Sequence, residues 1–479
     1  MKIRLMFGMV FTLVLSSCHH YLPQVEPKPV YPVPNQRQLA WHDMEMYAFI
    51  HFSINTFTDK EWGYGDERPE LFNPSEFNAE QWAIELKNAG MQGIILTAKH
   101  HDGFCLWPGK FTEHSVKNSP YKNGNGDIVR EVVEACHKYN LKVGIYLSPW
   151  DRNHPDYGTE AYIQYYRNQL KELVMEYGPF FEIWLDGANG GDGWYGGRDT
   201  TITIDGRTYY DWPITISLIR SLMPNVLFFS DAGPDIRWVG NENGRIGETN
   251  WNFLSIDTLY AGQAGINELL YTGSEDGKKW VGAEADVSIR PGWFYHPGEN
   301  SKVKSAEELF DIYLTSVGRG GNLLLNIPPD RRGLLHEADV DQLRAFDALL
   351  KSRFSNNLAK RAKMYIPGME KGRIDIKTVT DGDRSTFWTA QEASSVVELQ
   401  LNKKQPIHYI SLMENIALGQ RVRAFEIEAM IDGRWTRIGV GTTIGHKRIL
   451  SINPVSTDLI RIHFMECRAP VVLAEIGVY

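Results

Sequence analysis

The sequence predicts an α/β fold: a (β/α)8-like barrel of the TIM type followed by a C-terminal β-sandwich. Three observations carry the prediction. Short apolar runs alternate with helix-patterned segments between about residues 40 and 330. Eight of those runs read as strands, the number that closes a parallel barrel of roughly 250 residues or more. Past Lys360 the pattern changes to period-two alternation broken by turns such as Asp432–Gly433. A doubly wound sheet is the competing architecture, weakened by the lack of a Gly-rich phosphate loop.

The chain begins with a targeting segment. Lys2 and Arg4 precede an apolar stretch from Leu5 to Leu15, too short to span a bilayer as a permanent helix. Leu15–Ser16–Ser17–Cys18 has the form of a bacterial lipobox, with small residues before the cysteine that is acylated. The expectation is a lipoprotein signal peptide over 1–17 and a lipid-anchored chain starting at Cys18. Such a chain is exported to the periplasm or cell surface of a bacterium and touches the membrane only through its lipid. Pro23, Pro27, Pro29, Pro32 and Pro34 make 18–36 an extended linker.

The barrel is expected over 37–355. Its strand candidates are Met46–Ser53, Gly93–His100, Lys142–Ser148, Phe180–Asp186, Val226–Asp231, Arg245–Thr249, Trp280–Ile289 and Asn322–Ile327. Boundary chemistry separates them. Asn78 with Gln81 forms a capping-box pattern, and Gly90 stops the helix before the next strand. Asp127 opens a helix whose Ile128, Val132, Ala135 and Tyr139 share one face. Ser305 and Glu308 form a second capping box. Residues 187–212, with seven glycines, read as a long loop that leaves the fourth strand and covers or lines a site. The remainder, 356–479, is predicted as the sandwich, discoidin-like in Asp381–Gly382–Asp383 and Phe387–Trp388.

A formal net charge of −9 and the absence of a basic run beyond the first residues exclude nucleic acid as a main partner. Cys105, Cys136 and Cys467 are too widely spaced for a metal knot or a disulfide framework and are read as structural. Aromatic residues make up 12% of the chain, which suits either a large core or a site that stacks on sugar rings.

Polar residues gather where the strand candidates end. His51 ends the first, Lys99–His100–His101–Asp102–Gly103 ends the second, Tyr146 lies near the end of the third, and Asp186 ends the fourth. In a barrel these tips converge on one mouth. Two chemistries compete for them. Metal-assisted hydrolysis could use His51, His100, His101 and Asp186, but no His-x-His or His-Glu-x-x-His occurs, and adjacent histidines point to opposite sides of a strand. Glycoside hydrolysis needs two carboxylates in an aromatic pocket. Trp62, Trp107, Trp150, Trp184, Trp238 and Trp293 favour it, and no cofactor or metal is then required.

Four stretches carry a specific resemblance: Glu61–Trp62–Gly63, Lys99 to Phe104, Ile183–Trp184–Leu185–Asp186–Gly187, and Gly321 to Ile327. Together they resemble the α-L-fucosidases of glycoside hydrolase family 29 over most of residues 40–335. The resemblance implies a retaining mechanism with Asp186 as nucleophile. It implies that His51, His100, His101, Glu61 and Trp62 grip the fucose hydroxyls; strand-end position and the aromatic setting add Tyr146, Trp184, Trp238 and Trp293 to the expected binding site. The stretch Ser230 to Glu242 resembles the branch acting on α-1,3/1,4-linked fucose and points to Glu242 as acid/base. Glu284 is the alternative, with broader linkage specificity, and Glu248 follows. Pairing with Arg245 or Arg290 would give Glu248 and Glu284 structural roles instead. The implied substrates are fucosylated glycans of Lewis or blood-group type.

Overall fold

The computed structural model describes residues 27–368 and 373–479. The proposed signal peptide, Cys18 and the linker up to residue 26 lie outside the described residues. Among the described residues no helix is long and apolar enough to cross a membrane.

Eight parallel strands close into a barrel in chain order: β1 Met46–Ile50, β2 Gly93–Lys99, β3 Lys142–Leu147, β4 Glu182–Trp184, β5 Leu227–Ser230, β6 Ile236–Trp238, β7 Gly282–Ser288 and β8 Asn322–Asn326. β8 closes on β1 with Met46 opposite Leu323 and Phe49 opposite Asn326. Helices at Ala79–Asn88, Ile128–Lys138, Glu160–Tyr177, Trp212–Leu222, Ala306–Thr315 and Glu337–Phe354 cover the outside. The expected caps form at Asn78, Asp127 and Ser305. Only Ser305–Glu308 is reciprocal in the two expected boxes, because the Gln81 side chain is used by the backbone of Leu335.

The sixth strand corrects the sequence reading. Arg245–Thr249 is not a strand; β6 is Ile236–Trp238. It follows β5 after only Asp231–Asp235, with no helix between, and its start pairs with the end of β5 (Phe229 opposite Ile236). Asp235 holds this excursion, accepting the Phe228 N–H at 2.9 Å and pairing with Arg220. A three-residue strand containing a buried arginine gives no apolar run to detect. Arg237 is buried because its guanidinium donates to the carbonyls of Leu270 and Val281 and to Asn250 Oδ1. The expected long loop is also partly ordered as a hairpin, Gly191–Gly193 against Thr200–Ile202.

Residues 395–478 form antiparallel strands around a separate apolar core that includes Val397, Ile427, Ile462 and Leu473. The two long strands, Ser395–Glu414 and Arg448–Cys467, change register at bulges, which bends them. Charge ties this domain to the barrel: Glu45, just before β1, pairs with Arg384 at 2.8 Å and with Lys447.

Candidate active site

Side chains in a strand alternate between faces, so residues two apart stack in columns inside the barrel. β1 contributes Tyr47 and Phe49, continued by His51. β4 contributes Glu182 and Trp184, continued by Asp186. β7 contributes Glu284, Asp286 and Ser288. At the lower level Trp41 Nε1 donates to Glu182 Oε2 (3.1 Å), Tyr47 donates its hydroxyl to Glu284, and Trp184 Nε1 donates to Glu284 Oε1 (2.8 Å). Burial pushes Glu284 up to about 7; burial and the Glu284 charge push Glu182 well above the carboxylate range. In the middle level Trp184 stacks on Phe229, with ring centroids 4.2 Å apart and planes 8° from parallel, and Tyr146 covers its other side at 5.3 Å. This aromatic layer is the floor of a cavity of ≈ 240 Å³ at the C-terminal mouth of the barrel.

Fitting the mouth together depends on where the chain leaves the strands. β2 ends at Lys99, so His100 and His101 lie in a turn and their rings sit together, centroids 4.1 Å apart, rather than on opposite faces. His51 Nδ1 is 2.8 Å from Asn326 Oδ1. Because the Asn326 amide nitrogen donates to Ser288 Oγ and to the Trp293 carbonyl, its oxygen must accept, so the proton sits on His51 Nδ1. His101 Nδ1 is 2.7 Å from Ser148 Oγ, whose hydrogen goes to the Trp150 carbonyl, so His101 donates as well. Burial holds both rings neutral, with pKa values near 3, and lowers His100 further below the ordinary range. Three neutral imidazoles therefore offer acceptors and donors to hydroxyl groups without adding charge.

Asp186 lies two residues past β4 with its side chain 23% exposed. The Ala188 N–H donates to Oδ1 at 2.7 Å, the Tyr146 hydroxyl donates to Oδ2 at 3.0 Å, and His101 Nε2 stands 3.9 Å from Oδ2. Burial raises its pKa, and the two donated hydrogen bonds oppose that rise by stabilising the ionised form. Glycine at 187 leaves room for Asp231: a β-carbon there would lie 2.2 Å from Asp231 Oδ2 and displace that carboxylate. Glu242 sits on the loop after β6, and its Oε2 accepts Trp293 Nε1 at 3.1 Å. Its pKa is raised, first by burial and then, against the Trp293 bond, by the negative charges of Asp186 and Glu61. Burial thus raises both carboxylates, but two donated hydrogen bonds oppose the rise at Asp186, whereas at Glu242 there is one and neighbouring negative charges add to the rise.

The cavity is lined by His51, Glu61, Trp62, His100, His101, Trp184, Asp186, Trp238, Glu242 and Trp293 among the residues singled out from sequence. Tyr146 lies beneath the lining and acts on Asp186. Trp62 is 52% exposed at the rim, edge-on to His101 and Trp150. Glu61 shapes the wall: it accepts the N–H groups of Trp293 (2.9 Å) and Phe294 (3.1 Å) and bonds His296 Nε2 (2.6 Å). Glu284 does not reach the lining; it lies in the lower layer, below Asp286 in the β7 column, and Arg290 pairs with Asp339 instead. Glu248 pairs with Arg448 of the sandwich, and Arg245 with Asp311. Trp107 packs outside the barrel against Glu172.

Phe49, Asp231, Gly262 and Asp286 also line the cavity and were not selected from sequence. Asp286 accepts Trp238 Nε1 at 3.0 Å, and burial pushes it well above the usual carboxylate range. Asp231 accepts the Gly262 N–H at 2.7 Å and is pushed up to about 6, chiefly by burial. Period-two alternation from Glu284 could have found Asp286; nothing local marks Gly262. Among the described residues no three His, Cys, Asp or Glu side chains group as a metal site.

Comparison with known proteins agrees with this architecture. The model of the family described as Alpha-L-fucosidase matches residues 29–353, and that of the F5/8 type C domain matches 369–475. Alpha-L-fucosidase 1 of Arabidopsis thaliana is 39% identical over 99% of this chain and 92% of its own. The solved structure of a glycoside hydrolase 29 family member from an unknown rumen bacterium superposes with a TM-score of 0.86 at 46% identity, covering 95% of this chain and 78% of that one. A Ruminococcus gnavus GH29 fucosidase solved in complex with fucose gives a TM-score of 0.85 at 33% identity, covering 95% and 96%. A barrel whose mouth combines two carboxylates in contrasting environments with neutral imidazoles, matched over most of its length, belongs to the α-L-fucosidase family of glycoside hydrolases.

Proposed function

We propose that the chain is a retaining, exo-acting α-L-fucosidase that removes terminal α-1,3/1,4-linked fucose from branched glycans of Lewis or blood-group type. The observation that carries the mechanism is that Asp186, held by two donors, and Glu242, held by one and flanked by negative charges, line one cavity. In the first step an Asp186 oxygen attacks the anomeric carbon from the β face, and the glycosidic oxygen leaves with the proton of Glu242. A β-fucosyl ester on Asp186 results. In the second step Glu242, now a carboxylate, takes a proton from water as that water attacks the same carbon and releases Asp186. A small cavity floored by Trp184 suits one sugar ring, which favours removal from chain ends. The fucose-bound relative supports fucose as that ring. Trp293 supplies an apolar wall suited to the C5 methyl group. The linkage preference rests on the Ser230–Glu242 segment, whose Asp231, Trp238 and Glu242 line the cavity.

Proton NMR of the first-formed product tests the mechanism: α-L-fucose must appear before mutarotation, and β-L-fucose appearing first would rule out the double displacement. For linkage, kcat/KM on a branched α-1,3- or α-1,4-fucosyl trisaccharide should exceed that on a simple α-1,2-linked fucoside by at least about tenfold, the scale of one or two added contacts. Equal values would sink the branch preference. We also propose export and acylation at Cys18, motivated by the Leu15–Cys18 pattern. Cys18→Ala should move the protein from the membrane fraction to the soluble one, and unchanged membrane retention would refute the anchor.

A further inference from the structure

The loop that bears Glu242 has an unusual support. After β6 the chain turns over at the mouth between Gly240 (φ +75°) and Gly244 (φ +73°), both in the left-handed region open to glycine. It then returns as an extended arm instead of a helix. Near the top the arm leans on β7: Asn243 bridges Val287, and the Gly244 N–H donates to the Asp286 carbonyl. Lower down, Ile246 and Gly247 donate to the carbonyls of Thr315 and Tyr271. From 248 to 252 the arm is buried in places and has no neighbouring strand or helix to satisfy most of its peptide groups. Those groups must find partners elsewhere.

The partners come from the β-sandwich. Arg448 Nη1 and Thr442 Oγ1 donate to the Glu248 carbonyl, at 2.6 and 3.1 Å. The Asn250 N–H donates to Thr443 Oγ1 at 2.8 Å. Gln420 spans two residues of the arm, donating from Nε2 to the Asn250 carbonyl (2.7 Å) and accepting the Asn252 N–H at Oε1 (3.2 Å). Gln420, Thr443 and Arg448 are almost fully buried, as are Asn250 and Asn252. Side chains of one domain thus stand in for the strand that the arm lacks in the other.

We propose that the C-terminal domain positions the catalytic acid: Gln420, Thr443 and Arg448 are positioning residues that fix the returning arm and so the height and direction of Glu242 at the mouth. The carboxylate itself accepts one hydrogen bond, from Trp293, and Asn241 closes its loop by donating to the Val239 and Arg245 carbonyls, so the loop moves as a unit with its two arms and they set where it stands. One arm is β6, held by the barrel. The other is held on two sides. The barrel bonds the Asn250 and Asn252 side chains and the Trp251 N–H. The sandwich takes the Glu248 and Asn250 carbonyls and the Asn250 and Asn252 N–H groups. Nucleophile placement does not pass through this contact, because Asp186 is held by Tyr146 of β3 and by the Ala188 N–H after β4. The proposal rests on Glu242 being the acid.

The test uses the full-length protein with Thr443→Val, Gln420→Leu and the control Thr443→Ser, which keeps the hydroxyl. For each, kcat/KM is measured on a fucoside with an activated leaving group (dinitrophenol) and on one with a sugar or alkyl leaving group that needs protonation. Glu242→Ala is measured alongside. A displaced acid should cost the poor leaving group roughly 10- to 100-fold, the scale of a misplacement near 1 Å. The activated substrate should lose less than about threefold, since its departure needs little proton transfer, and Thr443→Ser should behave as wild type. If Gln420→Leu does not fold, Thr443→Val decides. Equal losses on both substrates, or no loss, with a selective Glu242→Ala, would overturn the positioning role alone. An unselective Glu242→Ala would overturn the acid assignment and the positioning role with it.

Discussion

Asp186→Ala lowers kcat/KM on an activated aryl fucoside by on the order of 10⁴-fold, the scale seen when a member of a catalytic constellation is removed. Such a loss corresponds to about 5.5 kcal/mol of transition-state stabilisation. Added azide then restores turnover and yields β-L-fucosyl azide, because a small anion can occupy the space that the carboxylate leaves below the anomeric carbon. The identity of the product is what makes this test specific to Asp186. Asp231 and Asp286 line the same cavity, yet burial drives both toward the protonated form, and Asp286 is committed to Trp238. Asp286→Ala should therefore weaken activity without azide rescue. An Asp186→Ala enzyme with unchanged kcat, or one whose azide product has the α configuration, would remove Asp186 from the nucleophile's role.

For Glu242→Ala the expected loss is about 10²- to 10⁴-fold on oligosaccharides and far smaller on fucosides whose leaving group departs unaided. The first step then needs no acid, and azide attack on the fucosyl ester should give α-L-fucosyl azide. The pH profile carries the same assignment. Turnover requires Asp186 ionised, so the acid limb falls as pH drops through the Asp186 pKa. It also requires Glu242 protonated, so the alkaline limb falls as pH rises through the Glu242 pKa. Both values are raised above those of free carboxylates, which moves the whole bell upward in pH. In Glu242→Gln the alkaline limb should disappear while the acid limb remains. Retention of both limbs would point to another acid.

Much of this site was legible in the sequence because strand tips and apolar alternation are local. The run Phe180 to Leu185 marks a buried strand wherever it occurs, and the following Asp186–Gly187 marks its exposed end. Seven of the eight barrel strands and the presence of the sandwich follow from such runs. β6 did not, since Ile236–Trp238 is stabilised by pairing with the end of β5 and by partners for Arg237 that come from residues 250 to 281. The placing of the sixth strand at 245–249 failed for a related reason: that segment bonds to Thr315, Tyr271 and, at Glu248, to the sandwich, and pairs with no barrel strand.

The histidines show the division in small compass. Adjacent His100 and His101 could share a site only if the chain left the strand, and whether it did was decided by Asp102. Its buried carboxylate accepts the Phe104 N–H and the Asn55 amide and closes the turn. Glu284 and Asp286 show it again. Both are carboxylates on one face of β7, but two residues along a strand is a full level of the barrel, and only Asp286 rises to the cavity.

By itself the sequence determined the barrel, the appended sandwich, the strand-end position of Asp186 and the loop position of Glu242, because each follows from periodicity and turn chemistry within a few residues. The tertiary structure alone decided which carboxylates share one cavity, which are sunk below it, and that the arm behind Glu242 rests on the second domain. Those outcomes depend on barrel closure and domain contact, which bring residues 200 or more positions apart within hydrogen-bonding distance and set the burial that shifts each pKa.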